Sequence, residues 1–326
     1  MKTVVRGIGH ALPEQVVTNK DLETRVETTD EWIVQRTGIR ERRVSSPQES
    51  TGSLSILAAR QALENSATQP GEIDMVICAT ISPDYPWPAT ACQVQEALGI
   101  GSAGAFDVSA ACAGFIYALA TVDGLIQSGL VKKALVIGAD CLTKQLDWSD
   151  RSSCVLFGDA AAAVVVEGVV GSDRGLVDTV LRSDGSGLCS LLIEAGGSKY
   201  PVGAEHSEGK RSTLFMAGKE VYRFAVQAMG DACSKVLEKA EIDVSEVDLF
   251  VPHQANLRII QSSAERLGLP EEKVFINVDR YGNTSGGSIP LGLYEAQAQG
   301  RLKPGMLVMT VGFGAGLVWG ANLLRW

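Results

Sequence analysis

The chain has 326 residues, 45% of them hydrophobic and 21% charged. That is enough apolar material for a large core, so disorder is excluded, and the length suggests about two units of ~150 residues each. A formal net charge of −9 speaks against a nucleic-acid binder, whose footprint is basic. The 7 cysteines show no CxxC pair and no Cys/His cluster, so no disulfide framework, structural zinc or other metal site is expected. A reducing, cytoplasmic setting follows, and the opening MKTVVRGIGHALPEQ has no apolar stretch of signal-peptide type.

In chain order, Leu54, Leu57, Ala58 and Ala62 recur at helical spacing. GEIDMVICAT (71–80) then reads as a strand and ACQVQEALGI as a helix closed by Leu-Gly. AFDVSAACAGFIYAL (105–119) is a strand, a loop of small residues and a helix start. SGLVKKALVIGAD (128–140) leads into a buried strand, and FGDAAAAVVVEG (157–168) into another. The order then repeats. A helix with Ala225, Met229, Ala232, Cys233, Val236 and Ala240 on one face precedes SEVDLFVPHQ (245–254), RIIQSSAERLGLP, FINVDRYGNTSGGSIPLGL (275–293), QGRLKPGMLVMTVG (299–312) and FGAGLVWGANLL (313–324).

Asp74 and Asp248, Asp107 and Asp279, and Leu135 and Leu307 are separated by 174, 172 and 172 residues. The last pair of segments is offset by only 156, which leaves an excursion of about 16 residues, roughly 141–156, in the first copy alone. Two halves are expected, 1–171 and 172–326, each of alternating strands and helices with mostly parallel pairing. The apolar run from Met306 to Leu324 is long enough to suggest a membrane span, but Gly312, Gly314 and Gly316 make it two buried strands around a turn. By the offsets, Cys112 corresponds to the Asn283–Thr284 region and His253 to Ala79, so a pseudo-twofold would bring Cys112, His253 and Asn283 into one site.

Each of these three also has an ordinary reading. Cys112, in VSAACAGF, lies at a helix N-terminus, where the dipole favours a thiolate, or is a buried structural cysteine. His253, in VPHQANLR, ends a core strand, where α/β sites gather; a satisfied strand-end histidine is the alternative. Of the 3 histidines, His10 and His206 read as loop residues. Asn283, in RYGNTSGGS, taken alone is a turn residue. The Gly-x-Gly strings at Gly7 and Gly312 lack a dinucleotide fingerprint, and no P-loop is present.

The segments TTDEWIVQRTGIRERR, DVSAACAGF, DRSSCVLFGDAAAA, VPHQANLRII, NVDRYGNTS and FGAGLVWG run in this order along nearly the whole chain. Together they resemble the β-ketoacyl-[acyl carrier protein] synthase III family of thiolase-like condensing enzymes. The resemblance implies an α/β thiolase-like fold, a duplicated βαβαβαββ unit in five αβαβα layers. It implies decarboxylative condensation of a short acyl-CoA with malonyl-[acyl carrier protein] at a Cys112–His253–Asn283 site, and the start of fatty acid synthesis. It places an oxyanion hole on the backbone N–H groups of Cys112 and Ala315. It assigns CoA contacts to Thr28, Trp32, Arg36, Arg151, Gly218 and Asn256, the acyl pocket to Trp87 and Phe313, and carrier-protein contacts to Arg223, Arg258 and Arg266. No cofactor is implied, acyl-CoA being a substrate; a homodimer is. Within the family Trp87 lies on a loop that closes the partner's acyl pocket, and its size implies acetyl or similarly short primers. Gly286–Gly287 depart from a commoner Ala or Thr pair, which predicts a looser loop after Asn283, and Glu265 stands where some relatives have a base. The alternatives are a secondary-metabolite condensing enzyme of the same fold and a non-catalytic acyl-CoA-binding homologue.

Overall fold

The computed structural model describes all 326 residues. The first half builds a five-stranded sheet from β1 (Lys2–Ala11), β2 (Met75–Ala79), β3 (Gly104–Val108), β4 (Lys133–Asp140) and β5 (Ala160–Val169), in the order β1-β5-β4-β2-β3. The second half builds a sheet from β6 (Gly175–Ser183), β7 (Leu249–Pro252), β8 (Leu307–Gly314) and β9 (Val318–Arg325), in the order β6-β9-β8-β7. Pairing is parallel between β2 and β4 and between β7 and β8, and antiparallel between β4 and β5 and between β8 and β9. The two sheets therefore have the same topology. The run from Met306 to Leu324 is the β8–β9 pair, and no helix is long and apolar enough to cross a membrane.

Sequence pattern explains the layers. The helices α3 (Gly114–Gln127) and α6 (Ser288–Ala298) are apolar around most of their circumference, as helices covered on every side must be. They form the central layer: α3 packs on β2, β4, β8 and β9, and α6 on β1, β5, β7 and β8. The amphipathic helices α1 (Thr51–Asn65) and α2 (Thr90–Ala97) cover the outer face of the first sheet, and α4 (Gly218–Ala240) and α5 (Leu257–Leu267) that of the second. On α4, Ala225, Met229, Ala232, Cys233 and Val236 are buried as the spacing predicts. On α1, Leu54, Ala58 and Ala62 are buried but Leu57 faces solvent, its place being taken by Ala59 and Leu63. His10 is a residue of β1 rather than of a loop, stacked on Tyr294 with ring centroids 4.0 Å apart.

The registers correct the repeat offsets. Met75 pairs with Ala134 and Leu249 with Val308, so both strands are displaced by 174 residues, and Leu135 corresponds to Met309 rather than Leu307. Ile137 pairs with Ala163 and Val311 with Ala321, an offset of 158 for the last strand. The difference is again 16 residues, and these lie between Asp140 and Ala160. The strand expected around Phe275 shrinks to a single bridge between Phe250 and Val274. A side chain takes over its ladder: the Gln254 amide donates to Phe275 O at 3.0 Å and accepts from Asn277 N at 3.0 Å and Val278 N at 3.2 Å. Asp279 consequently sits in the short helix Val278–Tyr281 and is no counterpart of strand residue Asp107. A second insertion, between Ser183 and Gly218, holds two short strands, Leu191–Leu192 and Phe215–Met216, and was not foreseen.

The halves meet where two tight turns touch the opposite sheet. Ala111–Ala113, before α3, and Ser285–Gly287, before α6, are matched 3₁₀ turns. Each opens on a residue with positive φ, Ala111 at 45° and Ser285 at 48°. This pairing makes Gly286, not Asn283–Thr284, the counterpart of Cys112. Gly138 of β4 lies against the Ser285 turn so closely that a Cβ there would fall 2.1 Å from Gly286 O; its counterpart Gly312 on β8 lies against Cys112 O, with a corresponding 3.1 Å. Gly138→Ala should therefore destabilise the protein by about 3 kcal/mol, the upper end for overpacking, because the obstructing atom is backbone. Thermal or urea unfolding of the purified variant measures it; an unchanged midpoint would show that the turn yields freely.

Candidate functional site

Cys112 sits in the turn after β3 and directly before α3, with only 6% of its surface exposed. Its thiol donates to Ser285 Oγ at 3.3 Å. Burial pushes the thiol pKa up to about 12. Desolvation thus opposes the thiolate that a helix N-terminus favours.

Asn283 joins the thiol through the same serine. Its Oδ1 accepts from Ser285 N at 2.9 Å, which fixes the amide orientation. Its backbone bridges Phe157, with Asn283 N donating to Leu156 O at 2.8 Å and Asn283 O accepting from Gly158 N at 3.0 Å. The side-chain Nδ2 makes no hydrogen bond within the protein and remains a free donor. Gly286 and Gly287 do not loosen this loop. A Cβ on Gly286 would come 3.0 Å from Ala79 O, and one on Gly287 would come 2.8 Å from Ala160 O, so glycine lets the turn pack against the first sheet.

His253 follows β7, its N–H donating to Val311 O at 2.8 Å, and it occupies the position equivalent to Ala79. Its ring meets Phe313 edge-on, centroids 5.6 Å apart. Phe313 lies between Gly312 and Gly314, and a Cβ on Gly314 would fall 2.6 Å from Cys112 N. Both ring nitrogens of His253 are buried without a partner. Such unsatisfied groups are rare in folded proteins and ask for a reason. Burial lowers the His253 pKa to about 3, so the imidazole is neutral throughout the working range.

A cavity of about 400 Å³ opens beside the thiol. Cys112, Ala315, Phe157, Leu142, Leu191 and Leu214 are among its mostly apolar lining residues. Ala315 N–H, the second expected oxyanion donor, makes no backbone hydrogen bond. The wall contributed by Leu188, Leu191, Leu192, Ile193 and Leu214 comes from the unforeseen insertion, although the apolar run LCSLLI was its visible signal. Phe313 stands behind His253 and is not part of this lining; Phe157 is. Trp87 does not reach the cavity of its own chain at all. It is 85% exposed, neither packed in the core nor against the thiol. Ser285 was missed as well, because a serine in Asn-Thr-Ser-Gly-Gly reads as a turn residue and nothing in the sequence sets it apart.

A second cluster lies outside. Trp32, on the short helix Asp30–Thr37, carries the Arg36 guanidinium 4.4 Å from its ring centre and that of Arg151 at 4.7 Å. Arg151, at the head of the short helix Arg151–Cys154 in the first-half excursion, is anchored on Glu27 O at 2.6 Å. Asn256 caps α5 and donates to Arg36 O at 3.0 Å. Thr28 Oγ1 is buried without a hydrogen-bond partner, and Gly218 opens α4, where a Cβ would meet only the tip of Met216 at 3.9 Å. Arg258 is exposed one residue into α5, over Tyr222 at 5.7 Å, and Arg223 is exposed on α4. None of Arg223, Arg258 and Arg266 forms an ion pair. Arg266 lies at the far end of α5, about 12 Å along the helix from Arg258, with its stem against Gly230.

A 15N spectrum of histidine-labelled protein should show the His253 ring neutral and unchanged from pH 5 to 8. A midpoint near the free value of about 6.5 would show that water reaches the ring.

Comparison with known proteins places these features in context. Residues 106–185 match the family described as 3-oxoacyl-[acyl-carrier-protein (ACP)] synthase III, and residues 237–326 match its C-terminal region. The chain is 51% identical to the β-ketoacyl-[acyl-carrier-protein] synthase III of Symbiobacterium thermophilum, over 99% of this chain and 97% of the relative. Among solved structures, the 3-oxoacyl-[acyl-carrier-protein] synthase III of Aquifex aeolicus superposes with a TM-score of 0.92 at 45% identity, covering 99% of this chain and 100% of that one. The priming β-ketosynthase of the R1128 polyketide pathway gives 0.92 at 38% identity, covering 99% and 96%.

Proposed function

The chain belongs to the β-ketoacyl-[acyl-carrier-protein] synthase III family, and we propose that it joins a short acyl group from CoA to malonyl-[acyl carrier protein] with loss of CO2, the initiating condensation of fatty acid synthesis. The observation that carries this reading is a buried thiol on the wall of an apolar cavity, joined through Ser285 to a fixed asparagine amide, with an unpartnered imidazole against Phe313, whose neighbour Gly314 packs on Cys112 N.

Cys112 Sγ attacks the acyl-CoA thioester. The carbonyl oxygen is received by the N–H groups of Cys112 and Ala315, and CoA leaves as its thiol, the two-stage logic of covalent catalysis. Malonyl thioester then enters. Its C–C bond to the carboxylate breaks, CO2 departs, and the electron pair becomes an enolate whose oxygen is met by Asn283 Nδ2 and a ring N–H of His253. Neutral donors held in a dry site stabilise such an anion without reorganisation. The enolate carbon attacks acyl-Cys112, the carbon–sulfur bond to Cys112 breaks, the 3-ketoacyl product leaves, and the Cys112 sulfur takes a proton from solvent to restore the thiol.

The outer cluster supports CoA as the donor. Trp32 with Arg36 and Arg151 offers an aromatic face and cations for an adenine nucleotide, Asn256 is bonded to Arg36 O, and the family resemblance assigns Thr28 and Gly218 to the same ligand. Carrier proteins are acidic and this chain is too, so a local positive patch is needed; the unpaired, exposed Arg223 and Arg258 supply one, with Arg266 farther along the same helix. The exposed Trp87 supports a homodimer in which this indole enters the second copy's cavity. The cavity is larger than an acetyl group requires, so short-primer preference depends on that insertion. Trp87→Thr should shift turnover from acetyl-CoA toward hexanoyl- and decanoyl-CoA, each newly buried methylene contributing ~0.8 kcal/mol. An unchanged primer profile would remove Trp87 from the gate. The priming ketosynthase likeness keeps a secondary-metabolite role as a second reading; comparison of malonyl-carrier protein with malonyl-CoA as acceptor separates the two.

Cys112→Ala should abolish formation of acyl-enzyme, detected by mass spectrometry after acetyl-CoA, yet retain decarboxylation of malonyl-carrier protein. His253→Ala and Asn283→Ala should lose decarboxylation by ~10²–10³-fold, the usual effect of an oxyanion donor, while still acylating. Condensation surviving in Cys112→Ala would overturn the assignment.

A further inference from the structure

The Trp32 cluster is built on two short helices, and neither is long enough to hold its place unaided. Asp30–Thr37 has 8 residues and Arg151–Cys154 has 4; isolated helices below about 12–15 residues are marginal in water. The Arg151 side chain crosses from one segment to the other, donating to Glu27 O at 2.6 Å. At depth the two helices meet on a single side chain. Arg42 lies on the strand Glu41–Arg43, which pairs with Val16–Thr18, and it is fully buried without an ion pair. Its Nη2 donates to Val155 O at 2.8 Å, at the C-terminal end of the Arg151 helix, where the carbonyls have no helical partner. Its Nη1 donates to Val17 O at 3.1 Å and to Asn19 Oδ1 at 2.9 Å. The Asn19 amide carries the link onward. Its Nδ2 donates to Asp30 Oδ1 at 2.8 Å, on the first residue of the Trp32 helix, and to Ile39 O at 2.7 Å, just beyond the glycine that closes that helix.

We propose that Arg42 is a positioning residue for the acyl donor: it holds the Trp32 and Arg151 helices to one another, so that the aromatic face and its cations meet the donor's nucleotide together. Arg42 touches no substrate itself. Its Nε is buried without a partner, and burial lowers its pKa only to about 10, so the group stays cationic. A buried cation with no carboxylate beside it is costly, and an apolar side chain fills such a place at less cost. The planar fork reaches oxygens on three separate segments at once, which the point charge of a lysine cannot do. Those segments lead to the two helices that carry the cluster, and this is the use the geometry gives to the buried charge.

The proposal rests on Trp32 and Arg151 as contacts of the donor's nucleotide. It is tested in the full-length protein with Arg42→Lys and, at the half-buried far end of the link, with Asp30→Ala. Acyl-enzyme formation is followed by rapid quench and mass spectrometry, with acetyl-CoA and with acetyl-pantetheine, which has the same reactive arm and no nucleotide. With acetyl-CoA, kcat/KM should fall about tenfold in Arg42→Lys, within the span for a lost base–aromatic stack, and saturating donor should restore the native rate. Asp30→Ala should show the same selectivity with a smaller fall. Use of acetyl-pantetheine and decarboxylation of malonyl-carrier protein should stay native-like in both. In a Trp32→Ala background, itself impaired with acetyl-CoA, adding Arg42→Lys should cost clearly less than it does alone, because both changes act on one contact. General loss of packing would instead lower the use of both donors alike, or add in full to Trp32→Ala. Either result overturns the proposal, as does native use of acetyl-CoA by Arg42→Lys. If Arg42→Lys does not fold, Asp30→Ala decides: a donor-selective loss supports the link and native use of acetyl-CoA overturns it. Native use of acetyl-CoA by Trp32→Ala would overturn the nucleotide contact itself.

Discussion

The structure depends on the close approach of two strained turns to the sheets across the pseudo-twofold axis. Each turn starts with a positive-φ residue, precedes a central helix, and rests against a glycine of the partner half's sheet. Central helices covered on all sides contribute burial without direction; van der Waals contact at glycine sets the depth at which they sit. A methyl group on Gly138, Gly286, Gly287, Gly312 or Gly314 would meet backbone. These positions bring the thiol turn and the asparagine turn together, and they explain why so much glycine is spent at the centre rather than only in surface loops.

Duplication alone would give two equal sites. The matched positions differ instead by single residues: Cys112 faces Gly286, Ala111 faces Ser285, Ala79 faces His253 and Ser109 faces Asn283. One half supplies the thiol on a turn otherwise made of alanine, and the other supplies the hydroxyl, amide and imidazole. The insertions follow the same division of labour. The excursion after β4 carries Arg151 and Phe157, and the segment after β6 supplies the apolar cavity wall. A symmetric frame thus fixes positions, while unequal side chains and loops give them a single direction of chemistry.

The repeat was legible because buried parallel strands leave long apolar runs and because Asp74 and Asp248 do the same job. Asp74 accepts from Lys132 N and Lys133 N, and Asp248 from Leu307 N, each tying a strand start to its parallel neighbour. Offsets read from similar letters drifted by two residues where only pairing fixes register, which moved the counterpart of Cys112 onto the wrong residue. The missing fifth strand was illegible for a different reason: its hydrogen bonds go to the Gln254 side chain, which no strand pattern encodes. Motif resemblance supplied Cys112, His253 and Asn283, of which the thiol and the amide both bond Ser285. Ser285 carries no sequence signal, since a turn serine is ordinary until its partners are known.

Charge is arranged by depth. At the surface Arg36, Arg151, Arg223 and Arg258 stand exposed, where the proposed function needs cations for phosphates and an acidic carrier. Inside, the groups around the thiol are an amide, an imidazole and backbone N–H groups, with no cation, and Asp140 is a buried acid in the same region. A cation beside Cys112 would make a permanent thiolate, but it would also bind the malonyl carboxylate and oppose its loss as CO2. A neutral interior avoids that cost. It stabilises an anion only where donors converge on the oxygen of the enolate, so the same desolvation that holds the resting thiol protonated favours departure of the carboxylate. On the proposed function, the depth of burial at Cys112 and His253 is a requirement of the chemistry, and the glycine-lined contact between the halves makes it structurally possible.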